Sequence, residues 1–376
     1  MKIVIDGRMS QESGIGRYIR NLLNQLAIID KKNEYLVLLT KESINKTALG
    51  NNFKRILADF KWYGISEQFK LPKLLNDLKS DLVHFPHFNV PLLFSGRFVV
   101  TIHDLIHQHF QMRRATTLTP LLYKFKQFGY KKVFKNGILR SQKILVPSDY
   151  VKELLIDDWQ VNDEKIVVTH EAVDDRITEI AGKINQKEIS QVMQKFNINP
   201  PFIFYVGNAH PHKNVEGLIK AFISLRKQYQ YLTLVLSGND HYFWQKIKHQ
   251  FQQKSIIFTG LISDKELVAL YKSAKCFVMP SFEEGFGIPI LEAMVCECPV
   301  VSSQGGALKE VGGDACLYFD PTSKEDIKEK IMLVLTNDGI EKDLIKKGQM
   351  RSKKFSWEKL AKQTMEVYQD AGSFGA

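Results

Sequence analysis

Two carboxylates flank a bend in the segment 280–294, which reads PSFEEGFGIPILEAM. In one continuous helix, Glu284 and Glu292 would lie roughly 12 Å apart along the axis. The glycines between them disfavour a helix, whereas Pro289 suits a first helical turn and restrains the preceding residue to an extended geometry. We therefore expect a helix that begins near Pro289, with Glu284 in the loop before it and Glu292 in or just beyond its first turn.

Backbone amides lie between the two acids, at the predicted start of this helix. They belong to Phe286, Gly287 and Ile288. Amides at a helix N-terminus can bind an anion or hydroxyl groups, and carboxylates accept hydrogen bonds from hydroxyls. The arrangement indicates a pocket for a sugar nucleotide, with one acid for the hexose and the other for the ribose. Taken singly, Glu292 is also explained by the helix dipole and Glu284 by solvation.

A glycine-rich turn follows the first predicted strand. Gly14 and Gly16 open a segment of helical period, where backbone N–H groups and the helix dipole can hold a phosphate. A dinucleotide fingerprint would require a third glycine near Ile19 and an acid at the end of the second strand, where Thr40 stands. The turn therefore predicts either a phosphate contact or a loop that needs small residues, and it argues against an NAD site.

Histidines stand near two predicted strand ends. His103 and Asp104 close the strand RFVVTIHD, at the edge where open α/β sheets bind ligands. His84 and His87 have a spacing that could bind a metal, but no carboxylate accompanies them, and we interpret them as cleft-wall or packing residues. Because no D-x-D pair follows a strand either, we expect a reaction that needs no divalent metal.

The composition is that of a globular protein with an excess of positive charge. The 376 residues are 44% hydrophobic and 25% charged, with a formal net charge of +11, and this length allows two domains. The charge favours an anionic partner, which could be nucleic acid, membrane headgroups or a phosphorylated small molecule. The cysteines lack the spacing of a zinc site, so a reduced, cytosolic chain is expected. Neither a signal peptide nor a bilayer-spanning apolar run is predicted, so any membrane contact is expected to be peripheral.

Short apolar runs alternate with segments of helical period along most of the chain, which predicts parallel sheets with crossover helices. The runs include KIVID, EYLVLLT, DLVHF, RFVVTIHD, KILVP and KIVVTH, and after Pro200-Pro201 FIFYVG, YLTLVLSG, SIIFTG, CFVMP and PVVSS. Two α/β units are therefore predicted, with the polar residues 174–187 as the linker. A final helical stretch carries an apolar stripe that must pack against another element. This stripe comprises Phe355, Trp357, Leu360, Thr364, Val367 and Tyr368.

In its motifs and their order the chain resembles the retaining glycosyltransferases of family GT4, the glycosyl transferases group 1. The matching segments are KIVIDGRMSQESGIGRYIRNLL, DLVHFPHFNVP, VVTIHDLIH, ILVPSDYVKELL, FYVGNAHPHKNVEGLIKAF, FTGLISDKELVALYKSA, PSFEEGFGIPILEAM and FSWEKLAKQTMEVY. The resemblance implies the GT-B fold, an α/β architecture of two Rossmann-like domains with parallel sheets that face each other across a cleft. It assigns residues 1–178 to an N-terminal acceptor-binding domain and residues 179–355 to a C-terminal donor domain. Residues 356–376 would form a helix that packs back on the N-terminal domain.

The resemblance also implies roles for residues in these motifs. Lys213 matches a lysine that pairs with the donor diphosphate, whose charge grows as the glycosidic bond breaks. Glu284 and Glu292 match acids that contact the hexose and the ribose, and His103 matches a histidine on the acceptor side near the anomeric carbon. The catalytic residues expected are thus His103, Lys213 and Glu284. Further donor contacts are expected from Gly14, Gly16, Gly207, Asn208, Gly260, Ile262, Phe286, Gly287 and Ile288.

The chain departs from the family pattern at one phosphate contact. Many relatives carry an arginine after the glycine or beside the lysine of this motif, where the chain has Asn208 and His212, so the second phosphate cation is unassigned. The glycines of segment 303–310, SQGGALKE, suit a close approach to the donor, and the alternative is a plain loop without a donor contact. The resemblance implies retention at the anomeric carbon by a front-face route, in which the leaving phosphate takes the acceptor proton. No cofactor is expected.

Residues 105–148 carry no acidic side chain and form a strongly basic face. Its basic residues are Arg113, Arg114, Lys124, Lys126, Lys131, Lys132, Lys135, Arg140 and Lys143. Aromatic and aliphatic residues are interleaved with them, which is typical of a helix at an anionic membrane interface. We expect this face to dock on the cytoplasmic leaflet beside a lipid-linked acceptor. The alternative is a core-packed helix with a solvated basic face.

The resulting hypothesis is a hexosyltransferase in surface-polysaccharide or O-antigen-type assembly, cytoplasmic and peripheral on the plasma membrane. Similarity to mannosyltransferases with TIHDLI-like segments favours GDP-mannose as the donor, and the acceptor would be a glycan or a polyprenyl-linked glycan. No nucleic acid is expected as a partner. The alternatives are an NAD-dependent oxidoreductase, which the incomplete fingerprint opposes, and a non-enzymatic protein that binds membranes or nucleic acids, which would leave the paired acids without a purpose.

Overall fold

Strands and helices alternate along the chain, as the apolar periodicity predicts. The computed structural model describes residues 1–12, 14–47, 49–106, 120–239 and 242–373, with only the backbone described for 120–128 and 373. The chain divides into two units, of which unit 1 comprises Met1–Glu171 with Ser356–Ala376 and unit 2 comprises Ala172–Phe355.

Each unit contains one β-sheet. The strands of unit 1 are β1 (Lys2–Asp6), β2 (Glu34–Leu39), β3 (Phe53–Leu57), β4 (Leu82–Phe85), β5 (Phe98–Thr101), β6 (Ile144–Val146) and β7 (Ile166–Val168). The strands of unit 2 are β8 (Phe202–Val206), β9 (Thr233–Ser237), β10 (Ile256–Gly260), β11 (Cys276–Met279), β12 (Val300–Ser303) and β13 (Cys316–Phe319).

Helices connect most of the strands. The first four are α1 (Gly14–Ile29), α2 (Ile65–Leu78), α3 (Pro120–Arg140) and α4 (Asp149–Trp159). Unit 2 contains α5 (Asp175–Lys183), α6 (Gln186–Lys195), α7 (Val215–Arg226), α8 (Tyr242–Gln250), α9 (Asp264–Ser273), α10 (Ile288–Val295), α11 (Leu308–Gly312), α12 (Lys324–Thr336) and α13 (Asp338–Ser352). The last helix is α14 (Trp357–Ser373), and short 3₁₀ helices span Asp163–Lys165 and Pro211–Lys213.

The sheet of unit 1 has the strand order β3-β2-β1-β4-β5-β6-β7 within the described residues, and every pairing is parallel. Its central strands are apolar runs buried on both faces, as Ile3, Val4 and Ile5 of β1 illustrate. The direction of winding reverses between β1 and β4. In open α/β sheets, ligands bind at the carboxyl ends of the strands beside such a reversal.

The sheet of unit 2 is also parallel, with the order β10-β9-β8-β11-β12-β13 in the described part of the chain. Helices α7 and α12 pack against each other, and their apolar sides join the buried core around β8 and β9. Winding reverses between β8 and β11. The loops after these two strands are therefore the expected position of a ligand in this unit.

The last helix packs back on unit 1, as the resemblance implies. Its apolar side, with Trp357, Leu360, Thr364 and Tyr368, is buried, and α14 packs against α1, β4 and β5. The hydroxyl of Tyr368 lies 2.6 Å from Nδ1 of His84, which is itself buried. This contact links α14 to the sheet by a hydrogen bond as well as by apolar packing.

The expectation of a linker over residues 174–187 is wrong, because most of this stretch is helical. Asp174 caps α5 by accepting a hydrogen bond from the amide of Arg176, and Asn185 and Glu188 form a capping box at the start of α6. Helix α5 packs on α9 and α10 through the buried side chain of Ile177. The division between the units falls after Glu171, a few residues before the boundary expected at 178.

Candidate active site

An ion pair joins the two loops beside the strand reversal of unit 2. Lys213 ends the 3₁₀ turn after β8, and Glu284 lies in the loop after β11. The ammonium nitrogen of Lys213 donates to both carboxylate oxygens of Glu284, at 2.7 and 2.8 Å. The two side chains are only 17% and 8% exposed. Charge-assisted hydrogen bonds with this geometry fix both groups in position.

Ser281 completes the surroundings of the Glu284 carboxylate. Its buried hydroxyl donates to Oε1 of Glu284 at 2.6 Å. Tyr205 lies beneath the same site, where burial and then the charge of Glu284 raise the pKa of its phenol well above the usual value. The phenol therefore stays protonated and donates to the carbonyl of Asn208 at 2.6 Å. Ser281 has no role in the sequence prediction, although it lies within the quoted motif.

The glycines after β12 pack against the loop that carries Glu284. A Cβ on Gly305 would lie 2.2 Å from the carbonyl oxygen of Phe282, and a Cβ on Gly306 would lie 2.3 Å from that of Glu284. Gly306 also has a φ of +64°, and the amide of Ala307 donates to the carbonyl of Glu284 at 2.9 Å. The absence of side chains at these glycines therefore serves contact between two loops, a reason that the sequence prediction did not include.

Helix α10 begins at Ile288, which confirms the prediction of a start near Pro289. Gly287 is its N-cap, with a φ of +106°, and a Cβ there would meet the side chain of Leu308 at 2.6 Å. Glu292 is the fifth residue of this helix, just beyond its first turn, and it is buried. Its Oε2 is 3.4 Å from the hydroxyl of Tyr271. The two acids thus lie on either side of a helix start, as predicted.

Gly207 and Gly260, both predicted to contact the donor, lie at the ends of β8 and β10, on either side of β9. The amide of Gly207 donates to the carbonyl of Ser237 at 3.0 Å, and that of Gly238 donates to the carbonyl of Gly260 at 3.1 Å. Gly207 and Gly260 both have positive φ, and a Cβ on Gly260 would meet nothing within 4 Å. Gly238, which the sequence prediction did not single out, is needed because a Cβ there would lie 2.1 Å from the carbonyl of Gly207.

Two other residues predicted to contact the donor flank these strand ends. Asn208 is exposed, and its side-chain oxygen accepts from the amide of His210 at 3.2 Å. Ile262 is half-buried beyond β10.

Phe286 is buried and packs edge-to-face on Phe355, with 5.7 Å between the ring centroids. Phe355, predicted to belong to the apolar stripe of the last helix, therefore packs within unit 2 instead.

His103 lies just after β5 in unit 1, where both of its ring nitrogens face acceptors. Nδ1 is 3.0 Å from Oε1 of Glu171, and Nε2 is 3.0 Å from the carbonyl oxygen of Pro86. Burial alone would lower the pKa of His103, but the hydrogen bond and charge of Glu171 outweigh it and raise this pKa above its usual value. Two acceptors require two N–H donors, which only the imidazolium provides. Glu171 is remote in sequence, and no motif predicts it.

Three other sequence candidates of unit 1, namely Gly16, His84 and His87, have structural partners, whereas Gly14 does not constrain its surroundings. Gly16 packs on the turn before α1, since a Cβ would lie 2.8 Å from the carbonyl of Ser10, whereas a Cβ on Gly14 would meet nothing within 4 Å. His84 places Nε2 2.8 Å from the hydroxyl of Thr101 and Nδ1 beside Tyr368. His87 is half-buried, with Nε2 3.2 Å from the Tyr63 hydroxyl.

The basic face of residues 105–148 is described in part. Residues 107–119 and the side chains of 120–128 lie outside the described residues. In the described part, α3 buries Phe134 and Ile138 in the core of unit 1, while Lys131, Lys132, Lys135 and Arg140 are exposed. This portion matches the alternative of a core-packed helix with a solvated basic face. No described helix is both long enough and apolar enough to cross a bilayer.

The chain has two parallel α/β units, and an ion pair lies beside the strand reversal of unit 2. These features are typical of enzymes that bind nucleotide sugars, and known proteins were therefore compared with the chain. The model of the family described as "Glycosyl transferases group 1" matches residues 186–351, and that of "Glycosyltransferase Family 4" matches residues 13–176. O-antigen chain mannosyltransferase B of Escherichia coli is 30% identical over 95% of this chain and 96% of its own length.

A second protein of similar sequence and a solved structure of similar fold are also found. Serotype-specific mannosyltransferase WbdA of Escherichia coli is 27% identical over 76% of this chain. The matched region covers 34% of that longer protein. The structure of Anabaena HepE in complex with UDP-glucose has a TM-score of 0.77 and 16% identity, over 98% of this chain and 100% of that one. The chain belongs to the GT4-type glycosyltransferases of group 1 and has the GT-B fold. It is therefore an enzyme, and the glycosyltransferase interpretation prevails over the oxidoreductase and scaffold alternatives.

Proposed function

We propose that this glycosyltransferase transfers a hexose from a nucleoside-diphosphate sugar to a glycan acceptor with retention at the anomeric carbon. The observation that carries the proposal is the buried ion pair of Lys213 and Glu284 beside the strand reversal of unit 2. A diphosphate needs a fixed cation, and a hexose needs a fixed hydrogen-bond acceptor for its hydroxyls. The pair provides both groups in neighbouring loops, at the sheet edge where α/β proteins bind nucleotides.

Each residue at this edge has a distinct role in the proposal. Lys213 stabilises the negative charge that develops on the leaving diphosphate, and Glu284 accepts a hydrogen bond from a hexose hydroxyl. Glu292 accepts hydrogen bonds from the ribose, and the amides at the start of α10 donate to the sugar or phosphate. His103, whose imidazolium ring carries a hydrogen on both nitrogens, acts on the acceptor side near the anomeric carbon. Donor contacts from the other predicted residues, including Gly14 and Gly16, belong to the same proposal.

The reaction breaks the bond between the anomeric carbon and the diphosphate oxygen and forms a bond from this carbon to an acceptor oxygen on the same face. The acceptor hydroxyl gives its proton to the departing phosphate oxygen. The protein positions both substrates and stabilises charge in an oxocarbenium-like transition state. This route uses neither a cofactor nor a divalent metal.

The proposed donor is GDP-mannose, and the proposed acceptor is a glycan or polyprenyl-linked glycan of O-antigen or a similar surface polysaccharide. The names of the Escherichia coli relatives, both mannosyltransferases and one of them of the O-antigen chain, support this choice. An acceptor attached to a lipid would hold the enzyme at the cytoplasmic face of the plasma membrane.

The test is a transfer assay with UDP-, GDP-, ADP- and dTDP-sugars and mannose-terminated acceptors, with and without EDTA. We expect transfer from GDP-mannose, an α-linked product by NMR, and full activity in EDTA. Combined Glu284→Gln and Glu292→Gln substitution should abolish transfer, whereas Glu297→Gln, an exposed acid after α10, should not. Full activity of the double variant with every donor would refute the roles of the acids, and an inverted product would refute retention.

A further inference from the structure

Large apolar side chains are exposed on one surface of unit 1. Ile65, Phe69 and Leu93 are 83%, 63% and 57% exposed, and together they form what we name the apolar patch. Single exposed apolar residues are common on proteins, but a contiguous group marks a surface that another body covers.

Hydrogen bonds between three elements bring these residues together. Ile65 and Phe69 are four residues apart in α2 and therefore share one face of the helix. Gln68 of the same helix accepts from the amide of Leu92 at 2.8 Å, which places Leu93 beside α2. Arg140 at the end of α3 donates to the carbonyl of Leu92 at 3.3 Å and to that of Phe94 at 2.6 Å. The loop that carries Leu93 thus lies between α2 and the end of α3.

The surroundings of the apolar patch are basic. Lys70 and Lys73 are exposed on α2, and exposed basic residues on the adjoining segments are Arg97, Lys132, Lys135 and Arg140. From Leu82 to Ser148, the sequence contains one acidic residue, Asp104. Glu67 of α2 faces inward, where its carboxylate lies 2.6 Å from Arg8. Within the described part of the chain, none of the six exposed cations forms an ion pair with a carboxylate.

A surface with apolar side chains at its centre and unpaired cations around it is complementary to an anionic lipid leaflet. Phe134 and Ile138 of α3 are buried in the core and are unavailable for such a contact. We infer that the apolar patch inserts into the headgroup region of an anionic membrane while the surrounding lysines and arginines contact the lipid phosphates. This inference extends the proposed function, on which it rests for the lipid-linked acceptor, and it assigns the contact to α2 and the Leu93 loop.

The first experiment is flotation of the full-length protein with phosphatidylcholine vesicles that contain none or about a third of phosphatidylglycerol. We expect binding to the anionic vesicles that weakens with added salt. Combined Ile65→Ser, Phe69→Ser and Leu93→Ser substitution should weaken binding about tenfold or more, because the inserting side chains are lost. The matched control is Ile28→Ser in α1, since Ile28 is 66% exposed outside the apolar patch.

The second experiment measures insertion directly. The fluorescence of Phe69→Trp should shift to the blue on anionic vesicles and be quenched by lipids with brominated acyl chains. Ile28→Trp should show neither change. These two readouts depend on the position of the new indole and do not require the patch to be disrupted.

Three outcomes would overturn the inference. One is equal vesicle binding by the triple variant and the Ile28→Ser control, and another is equal quenching of the two tryptophan variants. The third is a dimer in the wild type that becomes a monomer in the triple variant, because the patch would then contact a second copy. Transfer to a water-soluble acceptor separates this inference from the proposed function: the triple variant should keep full activity in that assay, whatever the vesicles show.

Discussion

The ammonium group of Lys213 is held in position by the carboxylate of Glu284. Its ammonium contacts both oxygens of Glu284, and Ser281 donates to one of the same oxygens. A cation fixed in advance stabilises a developing negative charge without the cost of reorganisation, which is the most effective form of electrostatic catalysis. The low exposure of the pair strengthens this effect, because water screens it less.

Replacement of Lys213 should therefore impair catalysis more than it impairs folding. We expect Lys213→Met to lower kcat/KM for transfer about 10²–10³-fold, as the loss of one charge-stabilising donor does. Lys213→Arg, which keeps the charge paired with Glu284, should retain more activity. The control is Lys220→Met, which removes an exposed lysine paired with Glu216 in α7. A loss below about threefold in Lys213→Met, in a protein with a normal melting temperature, would contradict the assignment.

Two histidines of unit 1, His84 and His103, respond to pH in opposite directions. Burial, followed by the nearby charge of His103, lowers the pKa of His84 to about 3. The unfolded chain, with a histidine pKa of about 6.5, binds a proton that folded His84 rejects, so this group destabilises the fold as pH falls below 6.5. The pKa of His103 is raised, so its contribution is complete below pH 6.5 and is lost as pH rises through the folded value.

The stability of unit 1 should therefore be greatest near pH 6.5. We expect the unfolding free energy to fall on the acid side by about 1.4 kcal/mol per pH unit for His84. His84→Phe should flatten the acid side and Glu171→Gln the alkaline side, so each variant is the control for the other. Tryptophan fluorescence during denaturation measures this, because Trp62, Trp159 and Trp357 belong to unit 1. Identical pH slopes in all three proteins would refute the assignment.

At the scale of elements, the loops that form the candidate site of unit 2 support one another. Three loops meet after the adjacent strands β8, β11 and β12. The amide of Phe282 donates to the carbonyl of His212 at 2.7 Å, and that of Ala307 donates to Glu284. The hydroxyl of Ser303 also donates to the carbonyl of Ser281. The position of the Glu284 carboxylate therefore depends on contacts with the loops that follow β8 and β12, the two strands that pair with β11.

A methyl group at Gly306 should disturb this arrangement. In Gly306→Ala, the new Cβ would collide with the backbone of Glu284, at 2.3 Å, and the residue would keep a φ of +64° that costs about 1–2 kcal/mol. We expect transfer to fall at least about tenfold, since small displacements of positioned groups reduce rates strongly. The measurement is the kinetics of transfer together with the melting temperature.

The control for Gly306→Ala is Gly182→Ala in α5, where a Cβ would meet nothing within 4 Å. Alanine is the better helix former, so this variant should be as active as the wild type and slightly more stable. Equal activity of the two alanine variants would show that the contact between the loops does not position Glu284.

Local sequence rules predicted the helices and strands well where single residue types or apolar periodicity determine the backbone conformation. Pro289 marked the start of α10, and the apolar runs marked the strands of both sheets. The linker over 174–187 failed as a prediction because the caps Asp174 and Asn185 stabilise helices that bury few side chains. Polar composition alone does not distinguish a capped surface helix from a linker.

The partners within the candidate site could not be read from local sequence. Glu171 reaches His103 across 68 residues, and Gly306 lies against a loop more than twenty residues before it. Such pairs arise from the strand order, which brings remote loops to one edge of a sheet. The residue types and motifs predicted the ends of β8 and β11 as the site, whereas the contacts that fix the side chains required the fold.

At the scale of the whole molecule, unit 1 is built from two separate parts of the chain. Its sheet lies within the first 171 residues, but α14 comes from the C-terminus and packs on α1 and the sheet. Full burial of one large apolar side chain contributes about 1.5–3 kcal/mol. Four such side chains on α14, namely Trp357, Leu360, Val367 and Tyr368, together contribute about 6–12 kcal/mol, which is comparable to the 5–15 kcal/mol that typically stabilises a domain.

Deletion of residues 356–376 should therefore unfold unit 1 and leave unit 2 folded, because Ala172–Phe355 is a continuous segment with its own core. We expect calorimetry of the truncated protein to show one transition in place of two, and the fluorescence of Trp62 and Trp159 to resemble that of an unfolded chain. Combined Glu358→Ala and Lys362→Ala substitution, which removes an exposed ion pair of the same helix, should change stability by less than about 0.5 kcal/mol. Two intact transitions in the truncated protein would show that α14 covers unit 1 without stabilising it.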